Sequence, residues 1–289
     1  MAPIDLLLKK HKTLSVELWP PRTEDALVKL ESSLSRLGEL EIDFASITYG
    51  AGGSTRDRTH DLVVKIHRQQ KMTPMAHLTC AYHTRGELID ILERYKAEGI
   101  ENILALRGDP PVSRKGDPID GDLVFAKDLV ILAKEIGNFV VAVAAHPTGH
   151  PEAENQDIDV RHLFDKLQVA DFAITQLFFS VEQYKIFVDK LSALGNTKPI
   201  LPGIMPIRNM KSLMTMSRLT DQEVPSYIYD KVASLENNPE DIRIFGIDFA
   251  TQMSADLLEM DVPGLHFYTM NETNATIEIC KNLNYHLPQ

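Results

Sequence analysis

Short apolar runs recur along the chain at Leu14–Leu18, Phe44–Thr48, Met75–Leu78, Ile103–Leu106, Val140–Ala144, Phe172–Thr175, Ile200–Ile204 and Leu265–Phe267. Each is apolar on both faces, as in a strand covered on both sides of a parallel sheet. Between them lie longer stretches of helical period: Glu24–Leu37, Arg56–Gln69, Arg85–Glu98, Leu123–Ile136, Asp159–Val169, Val181–Leu194 and Met210–Arg218. Further helices are expected at Pro225–Leu235, Glu240–Met260 and Thr273–Leu283. Strand and helix alternate, which gives right-handed βαβ units. Eight such units predict an α/β fold, a single (β/α)8 TIM barrel over residues 1–289 with extra helices before its last strand. A doubly wound open sheet is the competitor. It carries a Gly-rich turn after its first strand, where this chain has Trp19-Pro20-Pro21-Arg22.

Composition narrows the function classes. The chain has 289 residues, 44% of them hydrophobic, enough for a large core and too many for a disordered chain. Its net charge of −11 argues against a general binder of nucleic acid or of anionic membranes. Two cysteines, Cys80 and Cys280, make neither a disulfide framework nor a Cys-rich zinc site, so a cytoplasmic setting is expected. The N-terminal run places Ile4, Leu6, Leu7 and Leu8 ahead of Lys9, Lys10 and Lys12. A secretory signal has the opposite order, so an amphipathic first helix is expected. No stretch approaches the ~20 apolar residues of a membrane span.

In a barrel the chemistry collects at the C-terminal strand ends. Those ends carry Glu17, Thr48-Tyr49, His77-Leu78-Thr79, Arg107-Gly108-Asp109, His146, Gln176, Pro202-Gly203 and His266-Phe267-Tyr268. Glu17 stands among apolar neighbours, which disfavours its charged form and suits a general acid near neutral pH. Its alternative is a structural carboxylate paired with a cation such as Arg22. Arg107-Gly108-Asp109 reads either as an electrostatic element beside a cationic intermediate or as a local ion pair. Gly50-Ala51-Gly52-Gly53-Ser54-Thr55 lacks the lysine and spacing of a P-loop and reads on its own as a plain loop.

The segment from His146 to Glu152 has histidines at i and i+4, but Pro147 and Pro151 break the helix that would put them on one face. A loop gripping a ligand fits better, and no metal site is expected. Lys166 is either a phosphate contact or a solvated lysine. The Gln176 amide either reads the edge of a heterocycle or makes a strand-end hydrogen bond.

Taken together, several stretches resemble the methylenetetrahydrofolate reductase family, flavoenzymes of one-carbon metabolism. They are Glu17-Leu18-Trp19-Pro20-Pro21-Arg22, Thr48 to Gly53, His77-Leu78-Thr79-Cys80, Leu106 to Pro111, His150-Pro151-Glu152, Ile174 to Phe179 and His266-Phe267-Tyr268-Thr269. Seven motifs run in order at barrel spacing over nearly the whole chain. The resemblance implies a barrel holding FAD at its strand ends, with Glu17 as general acid and Asp109 as electrostatic partner. It implies that Thr48, Tyr49, Ala51, His77, Arg107, Gly108, Asp109, Ala126, His150, Ala153, Asp159 and Lys166 line FAD. Phe125, His146 and His162 fall at further FAD positions, where family members carry tyrosines and Asn. Thr48, Asp109, Gln176 and Tyr268 fall at substrate positions. Asp165 stands where some members are basic. Ser212, Met216 and Glu272 stand where Gln, Phe and Arg are expected.

The implied reaction reduces 5,10-methylenetetrahydrofolate to 5-methyltetrahydrofolate, with NADH or NADPH as co-substrate and FAD as hydride relay in a ping-pong scheme. Protonation assisted by Glu17 opens the substrate's ring to a 5-iminium cation, which Asp109 stabilises. The folate and the nicotinamide dinucleotide are the expected partners, and a homo-oligomer is expected. Three alternatives stand beside it: a related reductase with an altered pterin substrate, direct hydride transfer without flavin, and a non-catalytic flavin- or folate-binding barrel.

Overall fold

The computed structural model describes residues 2–50, 55–109, 120–220 and 222–288. Nine parallel strands form one sheet: β1 (Thr13–Leu18), β2 (Phe44–Ile47), β3 (Thr73–Thr79), β4 (Asn102–Leu106), β5 (Val140–Ala145), β6 (Phe172–Thr175), β7 (Ile200–Leu201), β8 (Gly203–Ile204) and β9 (Gly264–Tyr268). Their order is β7-β6-β5-β4-β3-β2-β1-β9-β8. All eight predicted runs form strands, the seventh in two pieces. Pro202 divides it, because proline has no N–H for the ladder. The first piece pairs with β6 and the second with β9, so the bent strand closes the barrel. Gly203 fits at the bend because a Cβ there would lie 2.3 Å from the Thr175 carbonyl oxygen.

The helices follow the sequence pattern closely: α1 (Ile4–Lys10), α2 (Glu24–Leu37), α3 (Arg56–Gln69), α4 (Arg85–Ala97), α5 (Ala126–Ile136), α6 (Gln156–Leu167) and α7 (Val181–Ala193). Extra helices α8 (Met210–Thr220), α9 (Ser226–Ser234) and α10 (Pro239–Glu259) precede β9, and α11 (Asn274–Asn282) follows it. Helix starts are set by local chemistry. The Thr23 hydroxyl accepts the Ala26 N–H ahead of α2, and Thr84 with Glu87 forms a capping box ahead of α4. Among the described residues no helix is long and apolar enough to cross a membrane.

Strand alternation sorts the core into two layers. Leu14, Val16, Leu18, Ala45, Ile47 and their counterparts pack outward against the helices. Phe44, Met75, Leu104, Val140, Ala142, Phe172, Ile174 and Leu201 fill the barrel. Ile4 of α1 joins that inner cluster and plugs the base, where its N–H donates to the buried Asn102 Oδ1 at 3.0 Å. Burying one such side chain contributes about 1.5–3 kcal/mol.

Several strands depart from the expected double apolar face: the inner row of β2 continues from Phe44 to buried Ser46, and that of β3 from Met75 to buried His77 and Thr79. The alternate positions of β1 are Thr13, Ser15 and Glu17, and those of β9 are His266 and Tyr268. The rows are in register, with Ser15 opposite His266 and Glu17 opposite Tyr268. His266 is wholly buried; its Nδ1 lies 2.8 Å from Ser15 Oγ, and its ring stacks on Phe44 of the inner cluster. The barrel interior is therefore apolar toward β4–β7 and polar along the β1–β9 seam, and the polar row continues onto Ser46 of β2 and His77 and Thr79 of β3.

Candidate functional site

At the mouth end of that seam sits Glu17. Its side chain is 14% exposed, and burial pushes its carboxyl up from 4.5 to about 7. Trp19 opposes the shift: its indole Nε1–H donates to Glu17 Oε1 at 3.0 Å, which favours the carboxylate. Trp19 is itself held. Its N–H donates to Asn271 Oδ1, and the Asn271 amide donates back to its carbonyl, both at 2.8 Å. The Thr269 hydroxyl donates to the Glu17 carbonyl at 2.7 Å. The turn after β9 thus fixes the end of β1 from both sides.

Among the described residues, the ionisable side chains beside Glu17 are uncharged. His77 Nε2 lies 3.9 Å from Glu17 Oε2, too far for a hydrogen bond. Burial pushes the imidazoles of His77 and His266 down to about 3, so both are neutral at pH 7. Tyr268 is raised by burial and then by Glu17, and its hydroxyl donates to the Thr175 carbonyl at 2.6 Å. The alternative of an Arg22 ion pair is not what forms: Glu17 meets an indole and a neutral imidazole. A desolvated carboxyl that titrates near pH 7 is suited to giving up a proton.

A second region lies across the mouth, after β4 and β5. The Arg107 guanidinium forks onto the Glu152 carboxylate, with Nη2 at 2.9 Å from Oε1. That fork holds Glu152 below the usual carboxylate range. The Glu152 N–H donates to His150 Nδ1 at 3.1 Å, and the His150 and His146 rings meet edge to face at 4.8 Å. The buried Asp159 carboxylate accepts the His150 N–H at 3.1 Å. Ala153 closes the same loop through its N–H to the His150 carbonyl. Burial pushes His146 down to about 3 and lowers Lys166, whose Nζ donates to the Ala144 carbonyl at 3.2 Å. Gly108 has φ +91°, and a Cβ there would lie 2.8 Å from Thr79 Cβ, so only glycine brings this backbone so close to β3.

The remaining predicted residues are spread more widely. Thr48 is half-buried, and its carbonyl accepts the Thr59 hydroxyl. The Tyr49 ring belongs to the outer core layer, and its hydroxyl lies 3.0 Å from His83 Nε2. Gln176 is half-buried, and its Oε1 accepts the Leu177 N–H at 2.9 Å. Asp109 is exposed; Arg107 forks onto Glu152, and Asp109 acts on it only as a neighbouring charge. Phe125 is exposed at the start of α5, beside half-buried Ala126. His162 and Asp165 are exposed on α6. Ala51 lies outside the described residues.

Three participants went unassigned in the sequence: Trp19, His266 and Arg208. Trp19 stands two residues after Glu17, and His266 two before Tyr268, so strand alternation carries a signal for both. Arg208 forms an ion pair with Glu272 that no local spacing announces.

Two buried atoms at the mouth end of β3, His77 Nε2 and Thr79 Oγ1, have no hydrogen-bond partner among the described residues. At the mouth of the barrel such atoms are open to a water or a ligand. Glu152 in the Arg107 fork shows that an oxyanion fits the opposite side.

Comparison with known proteins bears on what that ligand is. A family model described as Methylenetetrahydrofolate reductase matches residues 4–284. A 5,10-methylenetetrahydrofolate reductase of Pectobacterium carotovorum subsp. carotovorum is 39% identical, over 96% of this chain and 91% of that protein. Methylenetetrahydrofolate reductase (NADH) 1 of Arabidopsis thaliana is 34% identical, over 93% of this chain and 48% of that one. Among solved structures, an uncharacterized protein from Clostridium thermocellum that binds two copies of 5-methyl-5,6,7,8-tetrahydrofolic acid shares the fold. Its TM-score is 0.69 at 14% identity, covering 97% of this chain and 98% of that one.

Proposed function

Since the chain belongs to the methylenetetrahydrofolate reductase family, we propose that it reduces 5,10-methylenetetrahydrofolate to 5-methyltetrahydrofolate, with residues 1–289 acting as one catalytic barrel domain. NADH or NADPH is the electron source, and the name of the plant relative favours NADH. Bound FAD supplies the hydride relay between the two substrates.

The chain's own residues fit FAD. Arg107 and Lys166 offer donors to the pyrophosphate, with the His146–His150 loop beside them. His77 Nε2 and Thr79 Oγ1, buried without partners among the described residues, are available to hydrogen-bond a flavin edge. The Asp165 charge is exposed to solvent on α6, which takes away the main motive for a flavin-free route.

Glu17 carries the reading. Its carboxyl, raised to about 7, is protonated in about half of the molecules at neutral pH, and that fraction has a proton to give when the folate ring opens. A site that only bound flavin or folate would have no use for a desolvated acid tuned to neutrality. Neutral His77 and His266 add no positive charge to oppose the iminium cation. Gln176 offers its amide N–H groups to the pterin edge, and Tyr268 forms the wall beside Glu17. Asp109, exposed on its loop, meets the cation from the solvent side.

One observation bears on how the folate tail is recognised. Arg208 is paired with Glu272, which occupies the position where a family arginine is expected. An acidic folate tail must then compete with Glu272 for the guanidinium.

An anaerobic titration tests the proposal. NADH should bleach the flavin absorbance of purified protein, and methylenetetrahydrofolate should restore it. Bleaching without recovery would point to another acceptor. No flavin uptake, even with added FAD, would overturn the flavin-dependent reading.

A further inference from the structure

At the base of the barrel, opposite the mouth, three side chains from distant segments converge. His11 lies between α1 and β1, Asp43 directly precedes β2, and His286 follows α11. One ligand atom from each lies within 4.8 Å of the others. We propose that His11, Asp43 and His286 bind one divalent transition-metal ion of the zinc class, an ion that fastens the segment after α11 to the first two strands.

The hydrogen bonds around His286 carry the argument. Its Nε2 lies 2.7 Å from the Lys12 carbonyl oxygen and its Nδ1 lies 2.8 Å from the Glu41 carbonyl oxygen. Carbonyl oxygens only accept. With Nε2–H donating to Lys12, a neutral ring turns its Nδ1 lone pair toward the Glu41 oxygen and toward Asp43 Oδ2, 3.6 Å away. Lone pairs facing one another repel, and a positive centre among them removes the conflict. The Nε2–H to carbonyl bond is the outer-sphere contact that typically orients a metal-bound histidine. Asp43 is oriented in the same way, since its Oδ2 accepts the Leu14 N–H at 2.8 Å.

His11 adds a second imidazole to the same carboxylate, which a proton on His286 alone does not call for. A proton on His286 Nδ1 would need only the Glu41 oxygen and Asp43. The His11 Nε2 also converges on Asp43, 2.7 Å from Oδ1. Two imidazoles and one carboxylate are a donor set for zinc, cobalt or nickel, whereas magnesium and calcium prefer oxygen alone. A cleft of about 820 Å³ opens beside the cluster, lined in part by His11, Asp43, Lys71 and His286. It gives an ion a path from solvent and room for a water ligand.

The test is calorimetric titration of ZnCl2 into chelator-stripped full-length protein, with thermal unfolding followed in parallel. One equivalent should bind and raise Tm. His286→Ala and His11→Ala should each weaken binding by about a hundredfold or more, since loss of an outer-sphere partner alone weakens it about ten- to a hundredfold. His11 is at the exposed rim, so His11→Ala folds even if Asp43→Asn does not. His150→Ala, at the opposite end, should leave stoichiometry and affinity unchanged. Zinc affinity undiminished in both base variants would overturn the proposal. So would a Tm that responds to acidification and not to zinc, because a proton alone would then hold the segment.

Discussion

The two sides of the barrel mouth handle charge in opposite ways. Around Glu17, burial removes charge: the carboxyl titrates near 7, and the neighbouring imidazoles are neutral. Around Arg107, charge is kept and paired, with Glu152 62% exposed and held below its ordinary range. The first environment creates a group poised to move a proton. The second keeps a cation at the rim that an oxyanion, here Glu152, already engages. The same rim does both because the β1–β9 seam has a polar inner row closed over by the Trp19–Asn271 turn, whereas the loops after β4 and β5 open to water.

The largest effect should come from removing the acid. Glu17→Gln should lower folate turnover by about 10²–10⁴-fold while NADH still bleaches the flavin, as separate half-reaction kinetics would show. If both half-reactions fell together, the division between the two sides would fail.

The same variant sharpens the comparison through stability. The carboxyl's pKa is 4.5 ordinarily and about 7 in the folded chain, so the folded state holds the extra proton between those values. Its contribution is fully present below pH 4.5 and is lost as pH rises through 7. Glu17→Gln should therefore be more stable than the parent at pH 8, by at most about 3 kcal/mol, and should converge with it below pH 4.5. Denaturant unfolding at the two pH values measures this.

On the charged side, Arg107→Met should weaken FAD binding by about ten- to a hundredfold, the worth of a charge-assisted hydrogen bond. Salt should weaken FAD binding in the parent protein too. Neither change should move the pH limb of the folate half-reaction. A limb that followed Arg107 would make the two sides one electrostatic unit.

The smallest effect is expected from Trp19→Phe. Losing the indole donor destabilises the carboxylate, so the acid's pKa rises further. The alkaline limb of the folate half-reaction should move upward by roughly one pH unit, with little change below the limb. A downward shift would show that Trp19 does not act on the charged form.

Much of this was legible in the residues. Eight apolar runs and their intervening helices marked the barrel, because buried parallel strands and amphipathic helices leave plain periodic signals. The seventh run gave no sign of its division except Pro202 itself. Glu17 was readable from its apolar neighbours, since desolvation follows from local composition in a buried strand. The polar seam was readable in principle from the alternation Thr13, Ser15, Glu17, but β1 read as apolar on both faces. The partner of Arg107 was not readable. Asp109 is two residues away and Glu152 is forty-five, and only the folded β4 and β5 loops bring the distant carboxylate into a fork with the guanidinium. Arg208 and Glu272 pair for the same reason across α8 and the β9–α11 turn.

Barrel closure also sets a timetable. β1 pairs with β9, whose residues follow about 250 positions later. At a synthesis rate of about 5–20 residues per second, one edge of β1 waits roughly 12–50 s for its partner. An open strand edge invites pairing with other chains, and an inward-pointing charge discourages it. Before the seam closes, Glu17 is in water, where a carboxyl of ordinary pKa 4.5 is ionised at neutral pH. The same carboxyl is thus a charge on the strand before pairing, and its affinity for a proton rises as the first strand joins the last.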